Sequence, residues 1–159
     1  MDGTVVSIHL AKDAGEKHAS VSEARAVAGY GLEGDRYFGA GAETQDPGRE
    51  LTLIESESIE ALKVEHGVDL APGDARRNVV TQGVALNDLV GREFTAGEVR
   101  LRGIRLNEPC DHLAGLTDRR VLRGLAHRGG LRAQIVAGGT IRAGDPIVAA
   151  APVPAAPDS

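Results

Sequence analysis

Short β-like runs rich in β-branched residues, set apart by glycine turns, put the first limit on how this chain can fold. Thr4–Leu10 reads T-V-V-S-I-H-L, Leu51–Ile54 reads L-T-L-I and Asn78–Thr81 reads N-V-V-T. Runs of this length and make-up predict strands rather than helices. Arg92–Thr95 leads through Ala96-Gly97 into Val99–Leu106, and Leu131–Ala137 and Ile141–Ala149 complete the series. Val99–Leu106, V-R-L-R-G-I-R-L, sets Val99, Leu101, Ile104 and Leu106 against Arg100, Arg102 and Arg105. The alternation breaks phase at Gly103, as a β-bulge would make it do. A small residue, glycine and an acid recur at Pro72–Asp74, Ala96–Glu98 and Ala143–Asp145. The last two sit between apolar runs and read as hairpin corners. Mainly β structure with a few short helices, closed into a small barrel, is the fold class this pattern implies.

Helical signals are few. Glu57–His66 spaces Ile59, Leu62 and His66 on one face, with acids in its first turn and Gly67 as a stop. A second helix is expected from about Asp118 to Ala126, capped by Thr117 with Leu116 and Val121 as a staple, its inner face Leu122 and Leu125. Strands and helices do not alternate, which excludes a doubly wound parallel sheet. One domain is expected over 1–149, with the Ala/Pro-rich 150–159 as a disordered tail.

Composition narrows the function. The chain has 21 glycines, two Tyr, two Phe and no Trp, so a stacking surface for single-stranded nucleic acid is not expected. Its net charge of −5 argues against nucleic acid or membrane as partner. No apolar run approaches the roughly 20 residues of a membrane span, and M-D-G-T-V-V-S-I-H-L does not read as a signal peptide. With one cysteine, the expected compartment is the cytoplasm.

That cysteine, Cys110, lies in L-N-E-P-C-D-H-L. Pro109 suits the first position of a helix, which places Cys110 second, beside unpaired backbone N–H groups that favour a thiolate. Glu108 and Asp111 act against that charge. A lone cysteine out of context is more often an inert core residue. His112, two residues on, faces elsewhere, so a histidine base would come from His127 or His9. H-R-G-G-L-R, His127 to Arg132, sets two glycines between Arg128 and Arg132, suited to a close backbone approach and to bidentate contact with phosphate or carboxylate. A-R-R-N, with Arg76, Arg77 and Asn78, is a second candidate anion clamp. In G-L-E-G-D-R-Y, Asp35 would either orient a ligand group or cap a turn. No zinc spacing, P-loop or nucleophile elbow occurs.

The order of G-L-E-G-D-R-Y, G-R-E-L-T-L-I-E, A-R-R-N-V-V-T, E-P-C-D-H-L and H-R-G-G-L-R with G-G-T-I-R-A-G-D resembles the MOSC family, named for the C-terminal domain of molybdenum cofactor sulfurases. The likeness runs from about Val5 to Val148, and E-P-C followed by H-R-G-G is its most specific part. It implies a small barrel-like β fold with the cysteine in a cleft. It further implies that Cys110 carries sulfur as a persulfide or faces the molybdenum of the pterin cofactor. Arg76, Arg77, Asn78, His127, Arg128 and Arg132 would line the pocket for the anionic cofactor or substrate, with Gly129, Gly130 and Asp35 beside them, and His127 is the candidate catalytic base where Cys110 acts as a nucleophile. The corresponding activities are sulfur transfer or molybdenum-dependent reduction of N-hydroxylated or N-oxide compounds. The alternatives from the residues alone are a metal-independent cysteine enzyme acting on an anionic metabolite, by carbon–sulfur or acyl chemistry, and a non-catalytic binding module. Many stand-alone members carry a histidine and paired glycines after G-D, where this chain has R-Y-F-G-A-G. The pyridoxal-phosphate sulfurase domain of fused relatives is not among these 159 residues, so a separate sulfurase or electron-transfer protein is the expected partner.

Overall fold

The computed structural model describes residues 2–11, 19–70, 77–107, 125 and 128–150. Their strands are β1 (Asp2–Leu10), β2 (Ala19–Val21), β3 (Glu23–Val27), β4 (Gly31–Leu32), β5 (Leu51–Glu55), β6 (Val79–Gln82), β7 (Glu93–Ala96), β8 (Val99–Leu106), β9 (Leu131–Ala137), β10 (Gly139–Arg142) and β11 (Pro146–Ala149). Two helices join them, α1 (Ala40–Thr44) and α2 (Ser56–His66). The main sheet runs β11-β7-β8-β9-β5-β6-β1-β2, and pairing of β1 with β11 closes seven of these strands into a barrel. Closure leaves β2 outside, on the far side of β1. A small sheet, β10-β3-β4, packs Ala24, Ala26, Leu32 and Ile141 into the barrel's apolar core.

The mainly β, closed-barrel expectation holds, and Val99–Leu106 and Leu131–Ala137 form strands with the expected bounds. The A-G-E corner turns β7 into β8 as a hairpin, Ala96 facing Val99. The A-G-D corner does something else. It carries the chain from β10 in the small sheet to β11 in the barrel, so it changes sheets rather than making a hairpin. Two amides fix it: Arg142 N–H donates to Asp145 Oδ2 and Val5 N–H to the Asp145 carbonyl.

β5 and β6 are parallel, which requires a crossover, and α2 supplies it. The helix ends on Gly67 in the left-handed conformation (φ 68°), as its sequence signal implies, and it buries Ile59 and Leu62. These side chains join Ile54, Val68, Leu70, Val80 and Leu125 in a second apolar cluster outside the barrel wall. Leu125 belongs to the second expected helix, Asp118 to Ala126. The rest of that helix lies outside the described residues, as do Pro72–Asp74 and 151–159.

Of three register shifts in these ladders, two decide which side chains of the outer wall face out. In β8, register shifts between Gly103 and Arg105. Simple alternation from Leu101 would point Arg105 into the barrel, and the extra residue turns it outward. The bulge sits where Gly103 meets the wall of a neighbouring turn: a Cβ there would strike the Leu89 carbonyl. In β1, register shifts between Val5 and Ser7. Val5 and Ile8 are both in the core, so Ser7 and His9 share the outer face.

Candidate functional site

Strand registers set five outward residues side by side across the barrel wall. His9 on β1 stands beside Asn78 at the head of β6, their backbones joined by His9 N–H to the Asn78 carbonyl at 2.7 Å. Asn78 in turn neighbours Thr52 on β5, and Thr52 faces Arg132 on β9, which faces Arg105 on β8. Burial falls along the row: His9 and Asn78 are buried, Thr52 and Arg132 intermediate, Arg105 exposed.

The exposed end is cationic. Arg105 grips Asp46 with both terminal nitrogens, at 2.9 and 2.7 Å, and Arg49 approaches the same carboxylate at 3.9 Å. The grip depends on Gly48, whose missing side chain leaves room for the Arg105 guanidinium. Arg105, bonded to both oxygens, holds the Asp46 carboxyl down at about 2. The Arg132 side chain makes no hydrogen bond or ion pair among the described residues. Burial, then the fields of Arg105 and Arg49, pull its guanidinium below the ordinary value, with Asp46 and Tyr37 opposing. Two guanidinium groups thus share one carboxylate, and a third, that of Arg132, is half-buried without an anion among the described residues. Such a group gains more from a phosphate or carboxylate than a solvated arginine would.

The middle of the row is largely committed to its own bonds. Asn78 Oδ1 accepts from Thr52 N–H and the Thr52 hydroxyl, both at 3.1 Å, and Asn78 N–H donates to Thr52 Oγ1 at 3.0 Å. Asn78 Nδ2 donates to the His9 carbonyl at 3.2 Å. Asn78 therefore clamps three strands.

Arg77 is equally committed. Buried, it donates Nε–H to the Gly129 carbonyl at 2.8 Å and Nη2–H to the Asn107 carbonyl at 3.2 Å. Asn107 N–H donates to the Gly130 carbonyl at 2.7 Å. Three motifs distant in sequence, A-R-R-N, L-N-E-P-C and H-R-G-G-L-R, are stitched together at this point. Gly130 has φ 110°, and a Cβ there would be driven into the Leu53 carbonyl. That is why the second of the paired glycines has no substitute.

The remaining expected site residues divide. Arg128 is exposed and pairs with Glu65 of α2 at 2.8 Å. Asp35 accepts from Ala11 N–H at 3.0 Å and Tyr37 N–H at 3.3 Å, pinning the G-D-R-Y turn to the end of β1. Cys110, His127 and Arg76 lie outside the described residues. Arg49, Arg105 and Thr52 were not anticipated as site residues. Their signal was strand register, which becomes visible only once partners are known. Nor was Glu50, buried against the wall, whose Oε1 accepts from Gly29 N–H at 3.1 Å and Ile135 N–H at 3.0 Å.

The family model of the MOSC domain matches residues 33–148. The chain belongs to the MOSC family. Solved structures with the same MOSC fold include the YuaD protein from Bacillus subtilis, 19% identical with a TM-score of 0.79, covering 92% of this chain and 94% of that one. YiiM from Escherichia coli is 22% identical with a TM-score of 0.71, covering 96% and 71%. YiiM from Geobacillus stearothermophilus is 15% identical with a TM-score of 0.69, covering 94% and 75%. At these identities the likeness speaks to fold. None of the curated proteins compared matches the sequence.

Among the described residues no helix is long and apolar enough to cross a membrane.

Proposed function

We propose that this MOSC protein binds the phosphate-bearing pterin of the molybdenum cofactor along the outer row, with Cys110 as the sulfur-carrying or molybdenum-facing group. The observation that carries the reading is Arg132: half-buried, flanked by Arg105 and Arg49, and without an anion of its own among the described residues. A guanidinium in that setting fits a phosphate monoester, which offers oxygens in the bidentate geometry. Arg132 would make the direct contact. Arg105 and Arg49, sharing Asp46, would add positive potential without being free to wrap the ligand.

Cys110 follows Asn107 by three residues, a chain length of at most about 11 Å. Arg77 ties Asn107, the residue before E-P-C, to Gly129 of H-R-G-G. In this reading Arg77 positions the segment that bears the thiol and touches no ligand. When bound, the cofactor would supply the redox-active metal and a soft centre for sulfur, to which a thiolate is the matching ligand.

Molybdenum and pterin contents measured on anaerobically purified protein test the division of labour. Cys110→Ala is expected to lose metal or sulfur loading while keeping the pterin phosphate. Unchanged molybdenum in Cys110→Ala would remove the thiol from the metal's surroundings.

A further inference from the structure

At the inner end of the row stands His9, 5% exposed. Its Nε2 lies 2.7 Å from Ser7 Oγ. Its Nδ1 is the one buried side-chain polar atom without a hydrogen-bond partner among the described residues. Burial lowers the imidazole's pKa from the ordinary 6.5, so the ring is neutral at pH 7. Either tautomer leaves Nδ1 with something to offer. If Nε2–H donates to Ser7, Nδ1 is a bare acceptor; if the Ser7 hydroxyl donates to Nε2, Nδ1–H is a bare donor.

The row has spare bonding capacity at two places. Between them, Asn78 and Thr52 spend their side chains on each other and on the His9 carbonyl. The free guanidinium of Arg132 and the free Nδ1 of His9 are three strand spacings apart, about 14 Å of backbone. Both stand on the same face of the wall.

We propose that His9 is a ligand-contacting residue at the inner end of this row. The ligand is then bipartite: an anion for Arg132 and, across the three strands' width that separates the two, a neutral N–H or carbonyl edge for His9 Nδ1. A neutral edge is required because an uncharged, buried ring cannot compensate a second anion there. Ser7 acts as a positioning residue, fixing the ring plane through Nε2. The proposal rests on reading the cationic end as an anion site, and deepens it by naming the other half of the ligand.

Calorimetry on the full chain, purified from a host that makes no molybdenum cofactor, separates the two ideas. Inorganic phosphate probes the anion end alone, and a pterin monophosphate probes both. Wild type is expected to bind the pterin monophosphate at least about 10-fold more tightly than phosphate. His9→Phe should lose that advantage and leave phosphate affinity within about twofold, while Arg132→Ala weakens both ligands. His9→Gln, which keeps a donor and an acceptor, should recover part of the advantage. In the wild type, the ¹⁵N signal of His9 Nδ1 should shift with pterin monophosphate and not with phosphate, a readout that needs no variant to fold. The proposal is overturned if wild type holds pterin monophosphate no better than phosphate, or if His9→Phe binds it normally with Nδ1 unmoved. It is also overturned if His9 variants change only the thiol pKa of Cys110. Phosphate binding that is absent, or that survives Arg132→Ala, instead defeats the anion-site reading beneath it.

Discussion

Arg77 shows how one buried side chain does structural work that its sequence neighbourhood disguises. Beside Arg76 in A-R-R-N it reads as half of an anion clamp, yet its guanidinium is spent on the carbonyls of Asn107 and Gly129. Arg77→Ala leaves both carbonyls without this donor and should cost on the order of 2–3 kcal/mol in denaturant unfolding. Arg77→Lys should recover little, because one ammonium cannot span the two acceptors of a planar fork. A variant as stable as wild type would show that the stitching of the three motifs does not depend on Arg77. Gly130→Ala should destabilise on a similar scale, about 2 kcal/mol or more, since its φ of 110° and the Leu53 carbonyl both reject a Cβ. Arg128→Ala, by contrast, removes an exposed pair with Glu65 and should change stability by less than about 1 kcal/mol. From sequence, Arg77 and Arg128 look alike. Only burial and partner separate them, and neither is a local property.

At the scale of elements, the two bulges matter most because each sets a functional face. The one in β8 was legible: the phase break at Gly103 in V-R-L-R-G-I-R-L already sorted Arg105 with the outward arginines. The one in β1 was not, because T-V-V-S-I-H-L is apolar or small nearly throughout and alternation has nothing to grip. The strands β2, β3 and β4 and the helix α1 were missed for a related reason. They are short, and two to five residues give no period to detect. Glu50 connects these pieces, joining the turn after β3 to β9 through Gly29 and Ile135. Burial raises its carboxyl pKa above the ordinary 4.5, against the lowering effect of those two amides. A raised folded-state pKa means stability is fully present below about 4.5 and falls as pH rises through the folded value. Glu50→Gln keeps an acceptor for both amides and carries no charge. It should unfold at equal or higher denaturant than wild type at pH 7, with a smaller loss of stability between pH 4.5 and 7. A larger loss in the variant would show that the charged form is the stabilising one. His9 runs the other way: its lowered pKa makes stability present above 6.5 and lost as pH falls through its folded value. His9→Phe should flatten that acid limb.

For the whole molecule, the decisive contact is between the first described strand and the last. β1 pairs with β11 through Asp2–Val148, Gly3–Ile147 and Thr4–Pro146, and without it the barrel is an open sheet with two bare edges. Gly3 lies against Val84 and the Gln82 carbonyl, with no space for a side chain. Gly3→Val should therefore pry at the seam, with amide exchange rising first in β1 and β11; uniform exchange across the barrel would argue against a local seam. The closed β architecture was legible from glycine-cut, β-branched runs, because strand length and turn chemistry are written locally. The outer row was not, because it is assembled from β1, β6, β5, β9 and β8, whose order in space is not their order in the chain.

Whether that row captures the cofactor is read directly from the pterin content of wild type, Arg132→Ala and Arg128→Ala, purified from a host that makes the molybdenum cofactor. Wild type and Arg128→Ala should retain it alike, and Arg132→Ala should hold it at least about 10-fold more weakly. Equal retention by Arg132→Ala, or none by wild type, would mean that the row does not hold the cofactor through Arg132.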